Sequence, residues 1–565
     1  MATIISKTKK GRKYYYAVES KRVNGKPRIT WQKYLGTVEG IVKRTEDAKP
    51  ATPKEAILSE FGGVAALLRI TQRLGLLDLV NSAVPKRNQG PSVGHYMVLA
   101  LINRAVDPCS KLAIGDWYEK TVLRRLWGFP KSAFSGQRFW DHMNMVSESA
   151  IESVEKALVQ TIREHFDIDT RVLLYDTTNF FTFLATTNDE VPSAQRGKSK
   201  AKRHDLRLLG LALMTTRDFK IPLLHHVYPG NVPDVSLFPQ IFEEMLERYR
   251  EICGCDCEEA TLVFDKGNVS DEILEKLLCN KVRFVAAVTA QRFPELFATP
   301  LSEFRQLPGI PGTRAFQAPI TLLNLECQVT VSHSESFFTQ QLAGVTHNMV
   351  KCQKKLLDLA KSLEKWHKGK GRGRRPTLRT VQASVKRILS SQFMTDLFEV
   401  SVENADGLPR MYHEVNHATL ENLMATRLGR TALLTNQASW DASNVVQTYR
   451  SQASVEEAFK HMKNTTYLHW QPAYHWTEQK LRVHSFYCVL ALMVTTLAHQ
   501  EVTRHGIELS LPAMLKELCG IREVAVIYPT GTLARGKDHV TLSRMSPRQR
   551  KLAECLEISE AVTQK

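Results

Sequence analysis

An α/β fold, with a sheet begun in the first half of the chain and completed much later, is what this sequence predicts, on three observations. Between residues 170 and 289, short apolar runs (RVLLYD, RLLGLALMTT, KIPLLHHVY, TLVFD, VRFVAAV) have the length and composition of strands. Two longer segments among them, VSLFPQIFEEMLERYREI and SDEILEKLLCN, have helical spacing of apolar residues. Far downstream, YRSQASVEEAFKHMK is again amphipathic at helical period, after a mixed stretch over residues 290–438.

Taken in chain order, residues 1–48 read as a basic β-hairpin module. Aromatic and β-branched residues alternate in YYYAVESKRVNGKPRITWQKYLG around Asn24-Gly25, a dipeptide suited to the positive φ values of a type I′ turn. Lys9, Lys10, Arg12 and Lys13 stand just before it, and the module suits DNA contact or packing. Residues 53–166 turn helical, with apolar positions three and four apart in FGGVAALLRITQRLGLLDLV and HYMVLALINRAV. That region suits DNA binding, dimerisation or a plain structural bundle.

Residues 170–289 give the order β-β-β-α-β-α-β, which is that of an RNase H-like sheet, where the first and fourth strands are neighbours. Asp176 ends the first run and Asp265 the fourth. Residues 290–438 read as a mixed α/β insertion subdomain, with strand-like ITLLNLECQVTVS, FEVSVEN and TALLTN, a long helix around KKLLDLAKSLEKW, and the basic run KGKGRGRRPTLR. Residues 439–505 return to the core through the amphipathic helix, and 506–565 read as a C-terminal tail region.

Lys and Arg number 76 against 58 Asp and Glu, an excess of +18. Such an excess implies a polyanionic partner, because Lys and Arg contacts to phosphate release condensed counterions; a merely soluble basic protein is the plainer alternative. The N-terminal MATIISKTKKGRKYYY has no apolar h-region, so a reducing, cytoplasmic compartment with free thiols is expected. Cys253, Cys255 and Cys257 in CGCDC have only Cys279 close downstream, a poor zinc set. The apolar run FYCVLALMVTTLA falls short of the roughly 18 residues of a membrane span and reads as a buried helix, so no membrane is expected as a partner. No GxxxxGK[ST] pattern implies nucleotide hydrolysis.

Each aspartate alone also suits a turn or a helix cap. The downstream helix adds the third carboxylate. At about 100° per residue, Val455, Phe459 and Met462 form one apolar stripe, with Tyr449, Gln452, Glu456 and Lys463 clustered about a quarter-turn away. Glu456 then reaches a site on the sheet, whereas Glu457 points to solvent. Three carboxylates on rigid elements of a basic protein suggest a divalent-metal site acting on phosphates, since Mg²⁺ prefers a few oxygen ligands and leaves room for substrate. His225-His226, within a strand-like run, reads as structural. The Lys/Arg-rich loop after Asp176, with Lys198, Lys200, Lys202, Arg203 and Arg207, reads as a phosphate contact beside the metals.

The same residues resemble the DDE transposases of the IS4-like group, most closely the IS1634-type insertion-sequence branch. The signature helix of that group reads Tyr-x2-Arg-x3-Glu-x6-Lys, and this chain has Tyr449, Gln452, Glu456 and Lys463 at those spacings. GKSKAKRHDLRLLGLALMTT with IPLLHHVYPGNVPD, FDKGNVSDE and YHWTEQKLRVH are similar to the blocks around the first Asp, the second Asp and the signature helix. The resemblance implies that Asp176, Asp265 and Glu456 are catalytic and ligate two Mg²⁺ ions, with Mn²⁺ able to substitute. It implies cutting at element ends and joining of the 3′-hydroxyl to target DNA, by a homodimer that pairs two ends on double-stranded DNA in the bacterial cytoplasm, associated with the nucleoid. It also implies DNA contacts by Tyr449, Gln452 and Lys463. The family arginine, which grips phosphate near the cleaved end, is Gln452 in this chain, a neutral hydrogen-bonding residue; Arg450 lies on the opposite side of the helix. A metal-dependent nuclease without strand transfer and a non-catalytic DNA-binding derivative are the rival readings.

Overall fold

The computed structural model describes residues 2–23, 25–46, 52–86, 89–185, 187–197, 203–253, 260–471, 473–528 and 538–559. Asn24, Lys198, Lys200, Lys202, Cys255 and Cys257, singled out above, lie outside the described residues. Two units result: residues 1–73, 88–139 and 498–565 form one, and residues 74–87 with 140–497 form the other.

The second unit carries the α/β sheet. Its helix α1 (Glu148–His165) is capped by Ser147, whose side chain accepts the Ala150 N–H. There follow β1 (Val172–Thr182), β2 (Arg207–Thr216), β3 (Pro222–Pro229), α2 (Asp234–Cys253), β4 (Thr261–Phe264), α3 (Asp271–Cys279) and β5 (Arg283–Val288). Next come β6 (Arg305–Gln306), β7 (Thr313–Leu322), β8 (Leu325–Ser334), α4 (Glu335–His367), α5 (Leu378–Ile388), β9 (Arg430–Thr435), α6 (Ala442–Arg450), α7 (Ala453–Met462) and α8 (Glu478–Arg504). The spatial order is β6-β7-β8-β9-β5-β4-β1-β2-β3.

The first and fourth strands of the core, β1 and β4, are parallel neighbours, with Tyr175 in register with Phe264. β5 runs parallel on the far side of β4, and β2 and β3 extend the other edge as antiparallel strands. Strands covered on both faces read as unbroken apolar runs, and RLLGLALMTT is buried along almost its whole length. Gly210 within it is required: a Cβ there would stand 2.3 Å from the ring of Tyr228, its register partner on β3.

Residues 290–438 depart from a separate insertion subdomain. β7, β8 and β9 continue the same sheet beyond β5, so the insertion enlarges the core. Its return is fixed by Asn436, whose side chain accepts the Phe284 N–H at 3.0 Å and donates to the Val282 carbonyl at 2.9 Å. Only its helical part, α4 and α5 with the hairpin Phe398–Ala405 and Leu408–Val415, has an apolar cluster of its own, around Cys352, Leu356, Met394 and Leu397. The apolar run of the sequence becomes part of α8, 27 residues and long enough to cross a bilayer, yet 94% of its most apolar window is buried within the protein.

In the first unit the expected hairpin gains a third strand: Ala2–Lys9, Arg12–Val23 and Lys26–Gly36 form one antiparallel sheet. Residues 53–166 are not wholly helical, because Glu55–Glu60 is a strand paired with Arg522–Ile527. Residues 506–565 are likewise no tail: they supply that partner strand, the helices Leu511–Cys519 and Pro547–Cys555, and the short strand His539–Leu542. Helix Gly62–Arg73 starts on glycine because the Leu518 carbonyl would meet a Cβ at Gly62 at 2.2 Å.

Candidate active site

Asp176 and Asp265 each follow the last register pair of β1 and β4, Tyr175 with Phe264. Side chains alternate along strands, so both carboxylates project from the face opposite that pair, on chains about 5 Å apart. Both are half-buried. Placing them side by side is a consequence of topology: after the antiparallel strands β2 and β3 and the helix α2, β4 enters parallel to β1 on its other side, and it stops at Phe264.

α6 lies across β4, β5, β7, β8 and β9, and α7 packs on β1. The single helix expected over this stretch is broken. α6 ends at Arg450 and α7 starts at Ala453, with tight i+3 hydrogen bonds from Gln452 N to Tyr449 O at 2.9 Å and from Ser454 N to Ser451 O at 2.8 Å. The intervening residues keep right-handed helical dihedrals, which is why the wheel argument still groups the right side chains.

Tyr449 donates its hydroxyl to Asp265 Oδ1 at 2.9 Å. Burial pushes the Tyr449 phenol pKa far up, and the charges of Asp265, Glu456 and Asp176 push it further. Lys463 Nζ donates to Thr178 Oγ1 at 2.6 Å and lies 5.3 Å from the Phe180 ring centre. Thr178 is two residues beyond Asp176 and therefore on the same face.

The family sequence profile described as Transposase DDE domain matches residues 167–493, more than half of the chain. The chain belongs to that family. Transposases with this domain generally use divalent metal ions. No curated relative matches the chain. Among solved structures, the cryo-EM structure of piggyBac transposase synaptic complex with hairpin DNA aligns over 80% of this chain and 79% of its own, at 11% identity and a TM-score of 0.37. That similarity is too distant to carry an argument about this transposase.

The carboxylates suit a divalent cation by their chemistry. Three carboxylates and a phenol offer only oxygen, and Asp265 and Glu456 form no salt bridge with any described residue. A closed cage, however, is not formed. Among the described residues no three His, Cys, Asp or Glu groups stand together closely enough to hold a metal ion. The sheet fixes the aspartate pair, whereas Glu456 is exposed on α7.

The remaining expected residues divide. Gln452 is 6% exposed and its Nε2 donates to the Tyr175 carbonyl at 2.8 Å, so the expected phosphate grip does not fit its surroundings. β4 ends at the level of Tyr175, and the Gln452 amide takes up that carbonyl where the strand runs out. Arg450 donates to Thr313 Oγ1 on β7 at 2.7 Å, away from the aspartates. Arg207 pairs with Thr182 in register, six residues and about 20 Å along β1 from Asp176. Its guanidinium holds the Asn188 carbonyl at 2.6 Å, so Arg207 does not stand beside Asp176. Arg203 forms a two-pronged ion pair with Asp205, whose carboxyl it holds down at about 2.

Glu457 does more than face solvent. Its side chain is 49% exposed, but its carboxylate pairs with Lys220 in the β2–β3 turn, which lowers its pKa. His225 is buried against Glu155, with Arg248 completing the cluster at 3.4 Å, a structural arrangement in keeping with its strand position. Sequence reasoning missed Thr178 and the stack of Phe180 on Trp470 at 4.7 Å, which anchor β1 beyond Asp176. The period of two after Asp176 was the available signal for Thr178; for Trp470 there was none.

Proposed function

We propose that this transposase cuts DNA at insertion-sequence ends and joins the freed 3′-hydroxyl to target DNA, within an RNase H-like core of the IS4-like group, closest to the IS1634 branch. The observation that carries the reading is the placement of Asp176 and Asp265 on adjacent parallel strands, with Glu456 on the helix α7 that packs on β1. These three residues would hold two Mg²⁺ ions, or Mn²⁺ in their place. Bound there, the metals supply charge stabilisation to the attacking and leaving oxygens of an in-line displacement.

The chain's own residues do the positioning. Tyr449 fixes one oxygen of Asp265 and leaves the other for a ligand. Its raised pKa keeps the phenol a donor throughout the neutral range. Gln452 holds the backbone one residue before Asp176. Lys463 keeps an ammonium on the carboxylate face, two residues along β1, where a DNA phosphate would balance it. Two ends are paired by a homodimer on double-stranded DNA in the bacterial cytoplasm.

The test supplies full-length protein, Mg²⁺, donor duplexes ending in the element's inverted repeat, and a supercoiled target. Nicks exposing 3′-hydroxyls, followed by donor–target joints, are expected. Nicks without joints would make the protein a nuclease; binding without cutting would make it a non-catalytic DNA-binding derivative.

A further inference from the structure

Half of the chain's excess charge sits in its first sheet. Residues 2–36 contain ten Lys and Arg against one acid, Glu19, a net +9 out of +18. None of these cations forms a salt bridge with a described residue. Register divides the sheet into two unlike faces. Ile5, Tyr14, Tyr16 and Val18 share one face with Tyr34, whose ring lies 5.2 Å from that of Tyr16, and Val18 is buried. Lys7 lies over the Tyr16 ring on this side, so this is the packed face.

The other face carries Lys13, Lys21, Lys26, Arg28 and Lys33, with the sheet's one acid, Glu19, directly opposite Trp31, which is 48% exposed. Lys21 and Arg28 are direct cross-strand partners. Like charges placed opposite one another on a sheet repel, and an anion between them removes that cost. A second like-charged pair, Lys9 opposite Arg12, lies on the packed face beside the Lys10-Gly11 turn.

We infer that the Lys21, Arg28, Lys33 and Trp31 face of this sheet is a docking surface for duplex DNA, separate in the sequence from the carboxylate site. Spaced, unpaired cations match the regular phosphates of a duplex, and an exposed indole adds apolar contact in a groove. The inference rests on the proposed DNA substrate and on nothing in the carboxylate chemistry.

The experiment measures binding of labelled duplex, both element-end and random sequence, to the full-length protein without metal across a salt series. Lys21→Gln, Arg28→Gln and Lys33→Gln combined should weaken binding roughly 10- to 100-fold near 0.15 M salt and reduce the salt slope by about three. Lys351→Gln, Lys354→Gln and Lys355→Gln combined, exposed on α4, should change neither. Lys21→Arg with Lys33→Arg keeps the charge and should bind as the wild type does, which separates a lost contact from a damaged sheet. Wild-type affinity and slope in the first variant, or equal losses in the α4 variant, would overturn the inference. Because metal is absent, a chain that binds through this sheet but never cuts would sustain the inference while contradicting the proposed catalysis.

Discussion

At the residue scale, the roles of Tyr449 and Gln452 follow from what each touches. Tyr449→Phe removes the donor to Asp265 while keeping the ring, and partners of metal ligands are worth roughly 10- to 100-fold in metal affinity or activity. Cleavage should fall by that range, with partial recovery at high Mg²⁺; unchanged cleavage at limiting Mg²⁺ would remove Tyr449 from the site. Gln452→Leu strips the donor from the Tyr175 carbonyl, and an unsatisfied buried group costs about 1–3 kcal/mol. Chemical denaturation should show that loss, with end binding hardly changed. Full stability together with a weakened, less salt-dependent grip on DNA ends would instead restore the phosphate role suggested by the family pattern. Residue spacing alone marked both positions as important. It could not distinguish a buried carbonyl cap from a phosphate contact, since that depends on where β4 stops.

At the scale of elements, α7 is held to the sheet at two points, its middle and its C-terminal end. Lys463 reaches β1, and Glu457 pairs with Lys220 of the β2–β3 turn. Lys220 lowers the Glu457 pKa below its ordinary 4.5, so the pair stabilises the fold above that value and the contribution is lost as pH falls through the lowered one. Solvent screening at a half-exposed carboxylate leaves only a few tenths of a kcal/mol. Glu457→Gln should therefore lower the denaturation midpoint slightly at pH 7 and leave it unchanged at pH 2; an equal loss at both would show that the ion pair is not the cause. The elements themselves were largely legible. β1, β2, β4 and β5 are apolar runs because they are covered on both faces, and α7 has a clear 3.6-residue period. The break at Ser451–Gln452 was invisible, because both sides keep helical dihedrals and the periodic pattern runs through it. The strand Glu55–Glu60 was hidden for another reason: its partner lies at Arg522–Ile527, and no local pattern announces a pairing across the chain.

For the whole molecule, the chain from sequence to chemistry runs through sheet order. The succession of strands and helices put the first and fourth strands together, and that pairing brings Asp176 to Asp265. Periodicity points to Glu456 as a third carboxylate, whereas the path between them, which reads in the sequence as an insertion subdomain, widens the sheet with β7, β8 and β9. Alternating polarity marks a strand but does not say which sheet it joins. Cleavage should require Mg²⁺ or Mn²⁺ and stop in excess chelator, because three carboxylates without a cation repel a phosphodiester. Full activity in chelator would contradict the metal reading.

The proposed assignment gives the chemistry to Asp176, Asp265 and Glu456, and not to the adjacent Glu457. It is tested most directly by single-turnover cleavage of a saturating element-end duplex in Mg²⁺ by the four alanine variants. Asp176→Ala, Asp265→Ala and Glu456→Ala should each show no cutting while binding DNA as the wild type does, and Glu457→Ala should cut within a few-fold of wild type, as expected for loss of a largely solvent-screened ion pair. Wild-type cutting by Glu456→Ala, or no cutting by Glu457→Ala with its fold intact, would contradict the account.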